Sequence, residues 1–253
     1  MTPRPHQPGC WLALWLAFFC ACRVAAADVA ADFSAANDLY AKGQFAQAAA
    51  AYENILQTNG QSASLLFNCG NAEFKAGHLG KAIAAYRQAE LLTPRDPELR
   101  ANLAFVRTQV SGATLRPGRW QTWLGSLTLN EGAMLSAVLV WALFALLVAR
   151  QIRPAWAPRL RGATQCALAL ALFSCTLLGL QAANHFNSAV AVVTAGEATA
   201  RTGPLDDAQV AFTARDGAEM RVLDRHADWV QVADATGKIG WFSLKQAAVL
   251  PGA

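Results

Sequence analysis

Cysteine and histidine are the side chains that would carry nucleophilic or metal chemistry, and the chain has six of the first and four of the second. A nucleophilic cysteine needs a base within hydrogen-bond reach, and a structural zinc needs ligands paired at short spacing. Neither pattern occurs. Cys10, Cys20 and Cys22 fall in an apolar N-terminal segment, Cys166 and Cys175 fall in an apolar stretch further on, and Cys69 stands alone in a polar part. No pair remains for a structural disulfide. His78 and His226 are isolated and read as exposed surface residues. No G-x-S-x-G, Walker loop or H-E-x-x-H occurs. The expectation is a protein without catalytic residues, metal or cofactor, whose chemistry is recognition.

The elements that position the chain are two charge-free stretches, 132–149 and 162–183, joined by a basic turn at 150–161. As helices they would reach roughly 27 and 33 Å, close to a hydrocarbon core of about 30 Å. Soluble helices carry a polar stripe, and these do not. The spacing predicts a transmembrane hairpin, with Pro154 and Pro158 breaking any helix across the turn. Arg150, Arg153, Arg159 and Arg161, with no acidic residue among them, predict a cytoplasmic turn and put both flanking segments on the other side. The chain is 54% apolar and only 15% charged, and its net charge of +4 owes much to this turn. The charge therefore argues topology and not nucleic-acid binding.

Residues 1–27 read as a secretory signal peptide: Arg4, the apolar run Trp11–Ala21, then Ala25 and Ala27 before Asp28. Lipidation at Cys22 and a retained anchor stay open as alternatives.

Residues 28–110 contain a repeat of 34. Gly43 pairs with Gly77, Phe45 with Leu79, Ala48 with Ala82 and Tyr52 with Tyr86. The period and residue types predict helix–turn–helix units, with small residues where helices approach and glycines where a helix turns. The pattern resembles the tetratricopeptide (TPR) repeat, whose signature places are held by Gly70, Gly77, Ala82, Tyr86, Ala89 and Pro94 in the second unit. A third A helix from Pro97 has no B helix after it and reads as a capping helix. The resemblance implies a concave face for peptide binding, made here of Phe33, Asn37, Tyr40, Asn68, Asn71, Phe74 and Lys75. Asn37 and Asn68 match two asparagines of the family's carboxylate clamp. Phe33, Glu98 and Asn102 stand where its basic residues would be, so capture of a free C-terminal carboxylate is not expected.

Residues 111–131, with Trp120 and Trp123, read as an interfacial linker at the lipid headgroups. From 184 to 253 the pattern changes to five or six short runs of period two separated by Gly, Pro and Asp, which predicts a small β-barrel. Arg201, Gly203, Pro204, Gly217, Trp229 and the pair Gly240-Trp241 resemble the bacterial SH3 (SH3b) domain. That likeness implies a ligand groove at Trp229 and Trp241, with the barrel core as the other place for these rings. Such domains contact peptidoglycan or peptides in cell-wall enzymes.

The expected architecture is a multidomain membrane protein: an all-α TPR repeat, a transmembrane helical hairpin and a small all-β SH3-like barrel. Its module order resembles the E-type (BatE) proteins of the bacterial Bat (aerotolerance) operon. That resemblance implies a scaffold in the inner membrane, working with periplasmic or membrane proteins bearing von Willebrand A domains and with a MoxR-type ATPase, in envelope integrity or stress tolerance. A peptidoglycan-binding tether acting through the SH3b domain is the other expectation.

Overall fold

The computed structural model describes residues 29–111, 115 and 127–251. The signal peptide, Trp120 and Trp123 lie outside the described residues.

Five helices form the N-terminal module: α1 (29–41), α2 (Phe45–Asn59), α3 (Ala63–Lys75), α4 (Leu79–Leu92) and α5 (Pro97–Gln109). The turns after α1 and α3 are built alike. Gly43 and Gly77 take φ +76° and +88°, which places them in the left-handed region. The amides of Gly43 and Gln44 donate to Tyr40 and Leu39, and those of Gly77 and His78 donate to Phe74 and Glu73. These bonds satisfy the last helix carbonyls in the Schellman manner. Ser62 and Asp96 cap α3 and α5, and Pro97 opens α5 where its missing N–H costs nothing. Ala36, Ala48, Ala72, Ala82 and Ala89 are fully buried between the helices, with Tyr52 and Tyr86 in the grooves beside them.

Two long apolar helices follow. Helix α6 (Leu129–Ile152) opens on a capping box between Thr128 and Glu131. A short 3₁₀ turn, Pro154–Trp156, leads into α7 (Ala157–Asn187). Both helices are long and apolar enough to cross a membrane. Pro158 does not break the chain. It sits in the first turn of α7, where no helical N–H bond is lost. The Arg153 guanidinium lies 5.0 Å from the Trp156 ring centre and covers the turn. At the other end Arg95 pairs with Glu131, and Gln181 donates to the Leu127 carbonyl, tying α6 to the repeat and to α7.

Two residues after α7 the chain enters an antiparallel sheet of seven strands, one more than the alternation suggested: β1 (Val190–Val193), β2 (Glu197–Arg201), β3 (Val210–Arg215), β4 (Glu219–His226), β5 (Trp229–Ala233), β6 (Ile239–Ser243) and β7 (Ala247–Leu250). Their order is β3-β2-β6-β5-β4-β1-β7. Val230, Val232 and Phe242 face inward with Ala198, Ala200 and Met220. Gly240 makes this closure possible, because a β-carbon there would lie 2.8 Å from Ala200 Cβ.

Strand β1 is buried along its whole length, without the alternation of a half-exposed strand. Ala191 and Val193 join the sheet core. Val190 and Val192, with Leu250 of β7, join the core of the helical module against Ile83, Leu99, Leu103 and Val106. The helical and β modules thus share one continuous apolar core.

Candidate binding faces

The seven residues expected to form a groove lie on the A helices α1 and α3. Phe33, Tyr40, Asn68, Asn71 and Phe74 are half-buried, while Asn37 and Lys75 are exposed. Two of them are tied inward. The Tyr52 hydroxyl donates to Asn37 Oδ1 at 2.6 Å, and the Tyr86 hydroxyl donates to Asn71 Oδ1 at the same distance. Asn71 Oδ1 also accepts from Asn102 Nδ2 of α5 at 3.2 Å. The asparagines are therefore not free pairs of donor and acceptor. Their carbonyls hold the B-helix tyrosines, and the Nδ2 groups of Asn37 and Asn71 remain to donate outward.

The aromatic groups are paired as well. Phe33 lies 6.0 Å from Tyr52, Tyr40 lies 5.2 Å from Phe45, and Phe74 lies 5.7 Å from Phe105. Phe105 was not singled out from sequence, yet it is 55% exposed on α5 and stands one period of 34 after Asn71. The repeat register could have found it. It joins α3 and α5 into one edge-to-face aromatic surface.

On the opposite side of the helices a cleft of about 230 Å³ opens between α2, α3, α4 and the β module, floored by Leu66, Cys69 and Ala85. Its charged groups satisfy one another. Buried Glu73 meets His78 Nδ1 at 2.6 Å and Lys81 Nζ at 3.5 Å, and Lys81 also meets Glu53 at 3.8 Å. His78 is half exposed but not isolated. Burial pushes the Cys69 thiol up to about 12, with Glu53 and Glu73 adding to the shift. A thiol held protonated is a poor nucleophile. Among the described residues no three His, Cys, Asp or Glu side chains gather to hold a metal.

In the β module Trp229 and Trp241 are half-buried, and they are not core rings. The core on this side is Val230, Val232 and Phe242, which alternate with them along β5 and β6. Trp229 is registered opposite Ser243 and His226, and Trp241 opposite Gln231 and Arg201. Directly opposed residues share a face, so these six side chains stand together on the outer side of the sheet. Arg201 is steadied by its Nη1 donating to the Ala208 carbonyl at 2.7 Å. The face offers two flat apolar rings with amide, guanidinium and hydroxyl groups between them.

Two protein families match the chain. The bacterial SH3 domain matches residues 194–246, and the TPR repeat matches residues 70–109. A search of curated proteins found no match. The first match runs from just after β1 to just before β7, so the two strands that join the helical core lie outside it. The second begins at Gly70, within α3, and runs through α4 and α5. The chain thus contains a TPR repeat and a bacterial SH3 domain, module types that serve protein–protein contact or peptidoglycan binding.

Proposed function

We propose that this protein is a non-catalytic scaffold of the bacterial inner membrane, with its TPR and SH3 modules both in the periplasm. The observation that carries the reading is the division of the TPR surface. The SH3 module covers α4 and α5 on the outer side, while the A-helix side presents exposed Phe105 with half-buried Tyr40 and Phe74 as an aromatic surface edged by amide donors. Such a surface fits an extended or helical segment of a partner protein. The resemblance to E-type Bat proteins supplies the partner class, membrane-anchored proteins with von Willebrand A domains.

The topology has support from both ends. Arg107 precedes the apolar hairpin and Glu219 follows it, yet Nε and Nη2 of the one reach Oε1 and Oε2 of the other at 2.9 and 3.1 Å. A direct pair supports the placement of both modules on one side of the bilayer. The arginines stand at the far end of the hairpin, where positive charge favours the cytoplasm.

The test uses Tyr40→Ala with Phe74→Ala in the full chain. Removing aromatic anchors from a desolvated contact costs about 2 kcal/mol or more, roughly thirtyfold in affinity. Co-purified membrane proteins should be lost while the variant still reaches the membrane. Recovery of the same partners from both proteins would rule the groove out.

A second reading rests on the outer sheet face. Trp229 and Trp241, flanked by Gln231, Arg201 and Ser243, could hold peptidoglycan and make the protein a wall tether. Trp229→Ala with Trp241→Ala would then abolish retention on isolated sacculi and leave protein partners in place.

A further inference from the structure

We propose that the SH3 module is the terminal cap of the helical stack, occupying the place where the B helix of a third repeat would pack, and that the two modules fold and unfold as one unit. In a repeat array each helix pair buries its face on the next, and the last pair needs a cap. Helix α5 is a third A helix, but the chain after it leads to the apolar hairpin. The surfaces of α4 and α5 that a B helix would cover are nevertheless buried. Ile83, Leu99, Leu103 and Val106 are at most 1% exposed, and Val190, Val192 and Leu250 cover them.

The polar contacts fit the same assignment. Glu219 is 1% exposed and neutralises Arg107 through two parallel hydrogen bonds. Asp216 Oδ1 accepts from the Gly80 amide at 3.0 Å, taking one of the unpaired donors at the start of α4. The modules come close enough to leave no room for a β-carbon at two glycines. A β-carbon on Gly80 would lie 1.8 Å from the Val193 carbonyl oxygen, and one on Gly217 would lie 2.6 Å from Val110 Cγ2. The near neighbours of a β-carbon at Gly80 all belong to the SH3 module, so this glycine answers to the docking and not to the repeat. The unalternating strand β1 answers to it too, since a strand with water on one face would carry polar residues there. Separated, each module would expose an apolar face and a charge that only the other neutralises. The proposal holds whatever either binding face takes.

The experiment is hydrogen exchange and thermal unfolding on the full chain in detergent or nanodiscs, with probes in α3, β5 and β6. Wild type should show one transition shared by all three. Gly80→Ala should speed exchange in α3 and in β5–β6 together, by roughly tenfold or more, because opening of one cooperative unit exposes all of it. Gly196→Ala, where a β-carbon meets open space, should change nothing. Glu219→Gln gives a second handle that keeps the side-chain shape, and it should move the same probes. Two separate transitions in the wild type would overturn the proposal. So would faster exchange after Gly80→Ala confined to α4 and β1.

Discussion

The first helix pair and the second bury corresponding residues at a spacing of 34, yet they sit in different surroundings. Ala48 and Ala82 are fully buried, Tyr52 and Tyr86 are each 1% exposed, and each tyrosine donates to the asparagine fifteen residues before it. The inward sides of α2 and α4 are thus written in one local code. Their outward sides differ. On α4, Ala84 and Arg87 are at most 8% exposed, whereas on α2 Ala50 is exposed and the Glu53 side chain is 45% exposed. The repeat decides which side of a helix faces its own partner. The SH3 module decides that α4 is also buried around Ala84 and Arg87, while Lys81 stays exposed. Arg87 shows the cost: its Nε and Nη1 have no hydrogen-bond partner, and burial lowers its affinity for the proton while Glu219 opposes that shift.

Ion pairs should break this comparison most sharply. Glu219→Ala would leave Arg107 and Arg87 without their buried counter-charge and should cost about 3–5 kcal/mol. Glu53→Ala removes a partner from the exposed contact with Lys81 and should cost about 0.5 kcal/mol or less. Denaturant unfolding of the full chain reads both, and equal effects would show that the Arg107–Glu219 contact is not buried in solution.

Small residues come next. A β-carbon at Gly70 would lie 2.6 and 2.7 Å from two atoms of the Tyr86 ring, so Gly70→Ala forces that ring to move. About 1–3 kcal/mol is expected for such overpacking. Ala36 holds the matching place in the first unit and is fully buried, so Ala36→Gly should cost only about 1 kcal/mol through helix propensity. The same unfolding curves decide.

The asparagine ties should separate less. Removing the acceptor from a buried tyrosine hydroxyl costs about 1–3 kcal/mol. Asn71→Ala should lie above Asn37→Ala, because Asn71 also receives Asn102. The reverse order would mean that Asn102 does not hold α5 to α3.

The smallest expected effect is with pH. Burial raises the Cys69 thiol to about 12 and raises the Tyr52 and Tyr86 hydroxyls as well. The folded protein thus holds these protons more tightly than the unfolded chain. Their contribution is fully present below about pH 9, where an ordinary thiol begins to ionise, and is lost as pH rises towards 12. Melting temperatures between pH 8 and 12 should fall in two stages, thiol first. Cys69→Ala should delay the onset to about pH 10, where ordinary tyrosines ionise.

Much of this was legible without coordinates. The spacing of 34 located both helix pairs, and Gly43 and Gly77 fall where the chain must turn with positive φ. The apolar lengths located α6 and α7, and the period-two runs located six of the seven strands. Trp229 and Trp241 were legible as functional candidates, although sequence left open whether they faced out or in. Other features were hidden. Asn37 and Asn71 look like free amides until the B helix brings a tyrosine hydroxyl to each. Phe105 looked like part of a cap because its partner Phe74 is a full helix away.

What the sequence determined by itself is whatever depends on near neighbours: helix ends, the inward side of each repeat, strand alternation and the two apolar spans. These follow from backbone conformation and side-chain period, both properties of short segments. The docking of the two modules was decided by the tertiary structure. Its polar contacts join residues 112 and 136 positions apart, across the whole hairpin. No period links Arg107 to Glu219, and a glutamate beside a turn glycine reads as solvated until a distant arginine arrives to neutralise it. Burial of such a charge depends on what is brought against it, and that is set only when the chain returns from the hairpin to the helices it left.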